Sequence, residues 1–342
     1  MSKVVTLGEI LIRLSPPGNE RFIQATSFDI NYGGGEANIA VSLANYGHDV
    51  IFISKVPDNP IGDCAIASLR KFNVNCDYIA RGGKRLGIYY LENGASVRSS
   101  NVVYDRENSA ISTASFNEFD FDSIFKNTDL FHISGITTVI SRQAAEITIE
   151  ALKSAKRNNV LVSFDLNYRS KLWMNDIEEK QKFMKNAMKY VDICFGNARD
   201  AAMVLGYSDG KSDFINGSYD ICISEENMRK VLNRYNFKCL ITSKRESKSA
   251  SDNIYSAIVC KKDSFYSSKK YNIHIVDRVG GGDSFAAGFL HGVLREYSIE
   301  DSLEFAVAAS AIKHTIKGDF NIASEIDVIN IMKSPNNGLI NR

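Results

Sequence analysis

Short apolar segments alternate with amphipathic segments along most of the chain. Residues Lys3–Leu7, Leu130–Ser134 and 160–165 are apolar runs of strand length, whereas Arg142–Arg157 repeats apolar residues at helical spacing. The run at 160–165 is mostly apolar, as expected for a strand buried on both faces of a sheet. Further strands are predicted at 50–54 and Ile193–Phe195, and a further helix at 177–190. The alternation predicts an α/β fold in which helices cover both faces of a mostly parallel central sheet.

Two segments interrupt this alternation and are typical of a small β-lid. Residues 85–91 and 97–104 look like strands joined through Glu92-Asn93-Gly94-Ala95, and Asn-Gly is a strong hairpin signal. Residues 11–30 look extended and irregular. We therefore predict a single domain over residues 1–342, with a lid formed by about 11–30 and 85–106 inserted in it. The hairpin is apolar on both faces, so that one face could cover a site and the other could pack on a neighbouring lid.

Charge and composition narrow the classes of protein. The 342 residues carry 41 Lys plus Arg and 40 Asp plus Glu, so no overall basic field exists to hold nucleic acid or an anionic membrane. No uncharged run reaches the roughly 18 residues of a membrane span, and the first residues lack the features of a signal peptide. A cytoplasmic protein is expected. The six cysteines, at positions 64, 76, 194, 222, 239 and 260, have no metal-site spacing and are expected to be reduced thiols.

The segment with the clearest chemistry is Gly280-Gly281-Gly282-Asp283, between a predicted strand and an amphipathic helix predicted to begin at Asp283. Consecutive glycines allow successive N–H groups to converge on one anion, and the helix N-terminus adds its positive dipole. Such a site suits charge that develops on a transferring phosphoryl group, with Asp283 as the base for the attacking hydroxyl. Asp is also a favoured helix N-cap, so a capped turn without catalytic chemistry stays open as an alternative.

Two other nucleotide-binding motifs do not fit. No Lys follows the glycines at 280–282 in the register of a P-loop. The other cluster, Gly33-Gly34-Gly35-Glu36-Ala37-Asn38, has Asn38 where the dinucleotide fingerprint needs its third glycine, and it does not follow the first strand. A nicotinamide-dependent dehydrogenase is therefore disfavoured.

The two glycine segments together resemble the signatures of the ribokinase-like (PfkB) family of carbohydrate kinases. The N-terminal signature is matched by residues 32–47 and the C-terminal one by Asp277-Arg278-Val279-Gly280-Gly281-Gly282-Asp283-Ser284-Phe285, about 240 residues later. The resemblance covers nearly the whole chain and implies a ribokinase-like fold, a sugar substrate, ATP and Mg²⁺, with a monovalent cation as a further candidate. It also implies a homo-oligomer, a dimer or higher, assembled through the lid.

Within the family, the chain looks most like the kinases of 2-keto-3-deoxygluconate. The similar pieces are residues 8–17, 85–90, 103–106, 164–169 and 276–279. This likeness implies ATP-dependent phosphorylation of 2-keto-3-deoxygluconate at its terminal 6-hydroxyl. Two alternatives stay open: a family kinase for a neutral sugar such as fructose or ribose, and a non-catalytic sugar-binding regulator on the same fold.

The resemblance also implies roles for individual residues. Asp283 would be the base and Gly280, Gly281 and Gly282 the anion hole. The sugar pocket would be formed by Gly34, Gly35, Asn38, Tyr89, Tyr104, Arg106, Arg169 and Asp319. The nucleotide would contact Asn167, Asn197, Gly280 and Gly282, and Asp200 would serve magnesium, because Asn197-Ala198-Arg199-Asp200 stands where the family has N-x-x-E.

The chemistry of these residues fits an acidic sugar. Tyr104 and Arg106 share one face of a continuing strand, and Asp165, Asn167 and Arg169 leave the end of a buried strand with shared parity. Guanidinium groups pair bidentately with carboxylates. A salt bridge for Arg106 and a solvated position for Arg169 are the alternatives.

Three departures from the family pattern concern its loops. Gly281 stands where Ala is usual and Arg278 where Thr is common. The segment Thr242-Ser243-Lys244-Arg245-Glu246-Ser247 has no glycine, whereas the family often has T-x-G-x-x-G beside the nucleotide. The details of nucleotide binding are therefore not assigned in this segment.

Overall fold

A computed structural model describes residues 1–207 and 225–333 of the chain. Within these ranges the strands are β1 (Lys3–Leu7), β2 (Leu11–Ser15), β3 (Asp29–Gly33), β4 (Asp49–Val56), β5 (Ile79–Arg81), β6 (Gly87–Glu92), β7 (Asn101–Asp105), β8 (Leu130–Ser134), β9 (Leu161–Asp165), β10 (Ile193–Phe195), β11 (Cys239–Ser247), β12 (Asp252–Cys260), β13 (Phe265–Ser267) and β14 (Tyr271–His274). The α-helices are α1 (Gly35–Asn45), α2 (Pro60–Arg70), α3 (Phe121–Phe125), α4 (Gly135–Val139), α5 (Arg142–Arg157), α6 (Ile177–Ala187), α7 (Ala198–Leu205), α8 (Glu225–Tyr235), α9 (Gly281–Leu294), α10 (Ile299–Lys313) and α11 (Glu325–Lys333).

The central sheet is mostly parallel, as predicted. Its strand order is β13-β12-β11-β10-β9-β8-β1-β4-β5, and β14 also pairs with β12. All neighbours from β11 to β5 are parallel, whereas β12, β13 and β14 are joined to the sheet by antiparallel pairing. The carboxyl ends of the parallel strands therefore meet at one edge of the sheet, where open α/β sheets bind ligands.

Two hydrophobic cores lie on the two faces of this sheet, because successive strand residues point to opposite sides. Val4 and Phe52 pack in the core that α1, α2, α9, α10 and α11 cover. Val5 and Phe131 pack in the other core, which α3, α5, α6, α7 and α8 cover. This arrangement confirms the prediction of helices on both faces.

The predicted lid is a separate four-stranded sheet in the order β3-β2-β6-β7. The segment expected to be irregular supplies the antiparallel pair of β2 and β3, and β2 pairs in parallel with β6. The hairpin of β6 and β7 forms as predicted, but its connection is longer, since β7 begins only at Asn101. A tight turn closes between Ala95 and Arg98 with Ser96 in a left-handed conformation, φ 51°, so Asn93-Gly94 leads into the turn and does not form it.

Several predicted boundaries shift by a few residues. The helix predicted over 177–190 ends at Ala187 and continues as a short 3-10 turn, and the strand predicted from 160 begins at Leu161. The helix after the glycines begins at Gly281, two residues earlier than predicted. The cysteines in the described ranges are free thiols, and Cys222 lies outside them. In residues 1–207 and 225–333 we find no helix with the length and apolar character needed to span a membrane.

Candidate active site

A cavity of about 580 Å³ lies between the lid and the carboxyl ends of the parallel strands. Its wall includes Tyr89 and Tyr104 from the lid, and Asn167 and Asn197 from the segments that follow β9 and β10. Every residue that the sequence singled out for the site lines this cavity, except Gly281. Gly281 instead packs against the imidazole of His314 at the end of α10, since an added Cβ would come within 2.4 Å of His314 Cε1.

The glycine loop forms the floor of the cavity at the start of α9. Gly280 is the N-cap, with φ 77°, and an added Cβ there would lie 2.0 Å from the carbonyl oxygen of Asp319. Only glycine therefore fits this position. An added Cβ on Gly282 would meet no atom within 4 Å, so its backbone faces open space. The N–H groups of the first helical turn, which lack intrahelical acceptors, are available to an anion here.

Asp283 is the third residue of α9 and is not its cap. The N-cap is Gly280, and no side chain caps this helix, so the capped-turn alternative does not describe Asp283. Its Oδ2 instead accepts a hydrogen bond of 2.6 Å from Asn38 Nδ2 on α1. Burial raises the pKa of Asp283 to about 6, even though Asn38 and Arg169 favour its ionised form. A carboxylate with this pKa is mostly ionised at neutral pH and is matched to proton abstraction there.

A second half-buried carboxylate, that of Asp165, shares the cavity. Burial, followed by repulsion from Asp200 and Asp283, raises the pKa of Asp165 to about 8. Asp200 belongs to a capping box at the start of α7, in which its Oδ2 accepts 2.9 Å from Asn197 N and Asn197 Oδ1 accepts 2.9 Å from Asp200 N. No group of three or more His, Cys, Asp or Glu residues in the described ranges is arranged to hold a metal ion. Mg²⁺, however, is often held by one or two carboxylates together with substrate phosphates.

The two arginines predicted to contact the sugar differ in their surroundings. Arg106 is buried and pairs with Glu9, whose Oε2 accepts 2.9 Å from Arg106 Nε. In the structure, Arg106 therefore forms the salt bridge that the sequence analysis left open as the alternative to carboxylate binding. Arg169 is exposed to the cavity, donates 3.1 Å to the Tyr168 carbonyl, and has no carboxylate within 4 Å among residues 1–207 and 225–333. Its charge is available to an anionic ligand.

Asp319 lines the cavity, but its carboxylate is already bound by residues of the lid. Tyr89 Oη donates to Asp319 Oδ2, and Arg13 Nε lies 3.1 Å from Asp319 Oδ1. Arg13 also makes a bidentate pair with Asp277, at 2.8 and 3.2 Å. Asp277 in turn accepts 3.1 Å from the N–H of Val279, next to the glycine loop. A buried network therefore ties lid strands β2 and β6 to the loop that carries the glycines.

Several residues of the site escaped the sequence analysis. Glu9 follows β1 at the ligand-binding edge of the sheet, a position that could have identified it. Glu36 is buried after the first glycine cluster and accepts 3.0 Å from Ser134 N and 2.7 Å from Thr137 Oγ1. Arg13 gave no local signal, because its partner Asp277 is 264 residues away.

A cavity that joins a glycine-bounded helix N-terminus, a half-buried Asp and an overlying β-lid is the arrangement expected of a sugar kinase of the ribokinase-like fold. The chain belongs to the pfkB family of carbohydrate kinases, since the family described as "pfkB family carbohydrate kinase" matches residues 1–325.

Three relatives illustrate its place in the family. The crystal structure of the 2-dehydro-3-deoxygluconokinase from Thermotoga maritima is 46% identical, covers 97% of this chain and 98% of its own, and superimposes with a TM-score of 0.91. The 2-dehydro-3-deoxygalactonokinase of Haloferax volcanii is 29% identical over 99% of both chains. The 5-dehydro-2-deoxygluconokinase of Clostridium beijerinckii is 30% identical over 90% of this chain and 86% of its own.

Proposed function

We propose that this carbohydrate kinase transfers the γ-phosphoryl group of ATP to the terminal 6-hydroxyl of 2-keto-3-deoxygluconate. The observation that carries the proposal is the half-buried Asp283, held by Asn38 at the glycine-bounded start of α9. Arg169, unpaired with any carboxylate in the described ranges, supplies a cation for the carboxylate of the sugar acid. The relative with 46% identity, a 2-dehydro-3-deoxygluconokinase, supports the same substrate.

The reaction follows from this arrangement. Asp283 accepts the proton of the 6-hydroxyl as its oxygen bonds to the γ-phosphorus, and the bond from that phosphorus to the β,γ-bridging oxygen breaks to release ADP. The backbone N–H groups around Gly280 and Gly282 stabilise the charge on the transferring group. Bound Mg²⁺ supplies further charge neutralisation, and Asp165 and Asp200 are the residues that would hold it. Asn167 and Asn197 line the same part of the cavity and would contact the nucleotide.

The test is a coupled ADP-release assay with ATP and Mg²⁺. We compare 2-keto-3-deoxygluconate, its galactonate epimer, 5-keto-2-deoxygluconate, fructose and ribose. A clear preference for 2-keto-3-deoxygluconate is expected. A preference for a neutral sugar would overturn the proposed substrate, and no ADP release with any of them would favour a sugar-binding regulator.

One observation favours a neutral sugar as the second candidate. Arg106 is already paired with Glu9, so only Arg169 remains to bind a carboxylate. In addition, Glu9 Oε1 is buried without a hydrogen-bond donor among the described residues and could accept from a sugar hydroxyl. Arg106→Met separates the two cases. If Arg106 turns from Glu9 to the substrate, this change raises the KM for the sugar acid. If Arg106 stays with Glu9, the change leaves the preference among neutral sugars as it is.

We also propose that two copies associate through the outer face of the lid. Cross-strand neighbours form an apolar row there, from Ile30 through Leu14 and Tyr90 to Val103. Ile30 is 64% and Val103 45% exposed, although both are apolar and lie at the two ends of the row. Val103→Lys should shift the chain towards monomers in analytical ultracentrifugation, whereas Val97→Lys, off the sheet, should not. Equal association of both variants would overturn this interface.

The surroundings of the glycine loop do not favour a bound monovalent cation. Lys313 Nζ is buried, donates 3.0 Å to the Ile316 carbonyl, and its Cε would lie 3.2 Å from a Cβ on Gly280. Arg13 already pairs with Asp277 and Asp319. Because these two fixed cations neutralise the buried carboxylates, we expect equal activity in potassium and tetramethylammonium salts. A severalfold gain in potassium would contradict this expectation.

A further inference from the structure

We propose that Arg245 and Arg278 together bind the β- and γ-phosphates of the nucleotide. The inference deepens the proposed function and rests on it, because it assigns the nucleotide end of the same cavity. Both residues line that cavity. The ligand class is a nucleoside di- or triphosphate, recognised through its polyphosphate chain.

The two arginines reach the cavity from different elements. On β11, Ile241, Thr242, Ser243 and Arg245 line the cavity, whereas Lys244 does not. Arg278 lies after β14, two residues before the glycine loop, and donates 3.0 Å to the Ala250 carbonyl at the turn between β11 and β12. This bond fixes the guanidinium of Arg278 beside the loop that would hold the transferring phosphoryl group.

Among the described residues, no carboxylate pairs with either arginine. Neither has an acidic group within 4 Å in the described parts of the chain, whereas Arg106 of the same cavity is paired with Glu9. Burial and then the charge of Arg245 lower the pKa of Arg278, so the two guanidinium groups lie close enough to repel each other. Two like charges held together beside a cavity are unfavourable in the empty protein and become favourable when a polyanion binds.

Arg245 also lies in the segment where the glycines expected from the family are missing. β11 stays extended to Ser247, and its ladder with β12 pairs Arg245 with Tyr255 and Ser247 with Asn253. From Thr242 onwards β11 pairs only with β12, so alternate backbone N–H groups are engaged in this ladder and the extended segment does not form a loop around a phosphate. Side-chain guanidinium groups, which bind phosphate oxygens bidentately, supply the missing donors.

The carboxylate of the sugar is the competing ligand for this pair. Residues predicted for the sugar, such as Gly34 and Asn38, lie at the start of α1, beside the end of β1. In the sheet order β11-β10-β9-β8-β1, four strand spacings separate β11 from β1. At about 4.8 Å per spacing this is roughly 19 Å, which places Arg245 at the nucleotide end of the cavity.

The experiment measures the binding of ADP and of AMP to the full chain by calorimetry, for the wild type and for Arg245→Met and Arg278→Met. Loss of one charge-assisted contact should raise the Kd for ADP about tenfold to a hundredfold, with a smaller change for AMP, which lacks the β-phosphate. The KM for the sugar acid should stay unchanged. Lys244→Met is the matched control, because it removes one exposed charge from the opposite face of β11. It should leave the affinities for ADP and for AMP unchanged.

The outcomes separate this inference from the proposed substrate. Unchanged ADP affinity in both arginine variants would overturn the inference while leaving a kinase of the sugar acid intact. A raised KM for the sugar acid with unchanged ADP affinity would also overturn it, and would assign the pair to the substrate carboxylate. Weaker ADP binding in a protein that phosphorylates none of the acids would support the inference while the proposed substrate fails.

Discussion

The hydrogen bond from Asn38 to Asp283 allows a sharp test of the proposed base. Asn38 Nδ2 lies 2.6 Å from Asp283 Oδ2 and favours the ionised carboxylate, while burial raises the pKa of that carboxyl to about 6. Asn38→Leu keeps a side chain of similar size but removes the donor. The ionised form of Asp283 then loses stabilisation, so the pKa rises and the base is protonated over a wider range of pH.

The size of the shift can be estimated from the bond that is lost. A hydrogen bond to a charged group contributes about 1.5–3 kcal/mol, and one pKa unit corresponds to about 1.4 kcal/mol. The acid limb of kcat/KM should therefore move upward by about one to two pH units. Activity should be lost near neutral pH and partly recovered in alkaline solution, where Asp283 ionises again.

The assay is the pH profile of kcat/KM for the sugar acid at saturating ATP, from about pH 5 to about pH 9. ATP itself titrates in this range. The quantity compared is therefore the shift of the acid limb between the wild type and Asn38→Leu, and not the absolute midpoint of either profile. Ser42→Ala is the matched control, since Ser42 lies one turn further along α1 and donates 2.9 Å to the Asn38 carbonyl without touching Asp283. A uniform loss of kcat/KM at every pH, with an unmoved acid limb, would refute the coupling of Asn38 to the base.

Three further changes have distinct expected results. Asp283→Asn should lower kcat by about a hundredfold to ten-thousandfold with little change in sugar-acid affinity, and near-normal turnover would exclude Asp283 as the base. Arg169→Met should raise the KM for the sugar acid about tenfold or more but not that for ATP; equal effects on both would contradict its role. Arg13→Met should lower the free energy of unfolding in urea by about 3–5 kcal/mol, because buried Asp277 and Asp319 lose their partner. Arg157→Met, which removes an exposed charge, should change this free energy little. Equal stabilities of the two variants would refute this account.

The sequence predicted the central sheet because strand burial and helix periodicity are local properties. The strand Lys3–Leu7 and the helix Arg142–Arg157 were predicted with the bounds that the structure has, since each packs a continuous apolar face. The lid connection was less predictable. Its left-handed residue is Ser96, and Gly94 has no positive φ but is instead closely packed, since an added Cβ would lie 2.5 Å from the Arg98 carbonyl. Local packing of Gly94 against residues 98–100 of the same connection overrides the turn signal of Asn-Gly.

The residues alone predicted the site where a motif lies on one continuous segment, whereas the family resemblance supplied Tyr89, Arg106 and Asp319. The glycine loop and the cluster at 33–38 are such segments, and the cavity brings them together. The partners of Arg106 and Arg13 could not be predicted, because Glu9 lies 97 residues from Arg106 and Asp277 lies 264 residues from Arg13. Only the folded lid places these charges against each other.

The two carboxylates beside the proposed phosphoryl-transfer centre have different environments, and this difference supports different proposed roles for them. Asp283 receives a hydrogen bond from Asn38 and the field of Arg169, so its pKa rises only to about 6. Asp165 is partly desolvated and has Asp200 and Asp283 as like-charged neighbours, so its pKa rises to about 8. At neutral pH the first is mostly ionised and can accept a proton, whereas the second mostly holds one. Environments that separate two pKa values in this way divide the chemistry between the groups. These environments support the proposal that Asp283 is the base, and we expect Asp165 to ionise fully only when a cation approaches it.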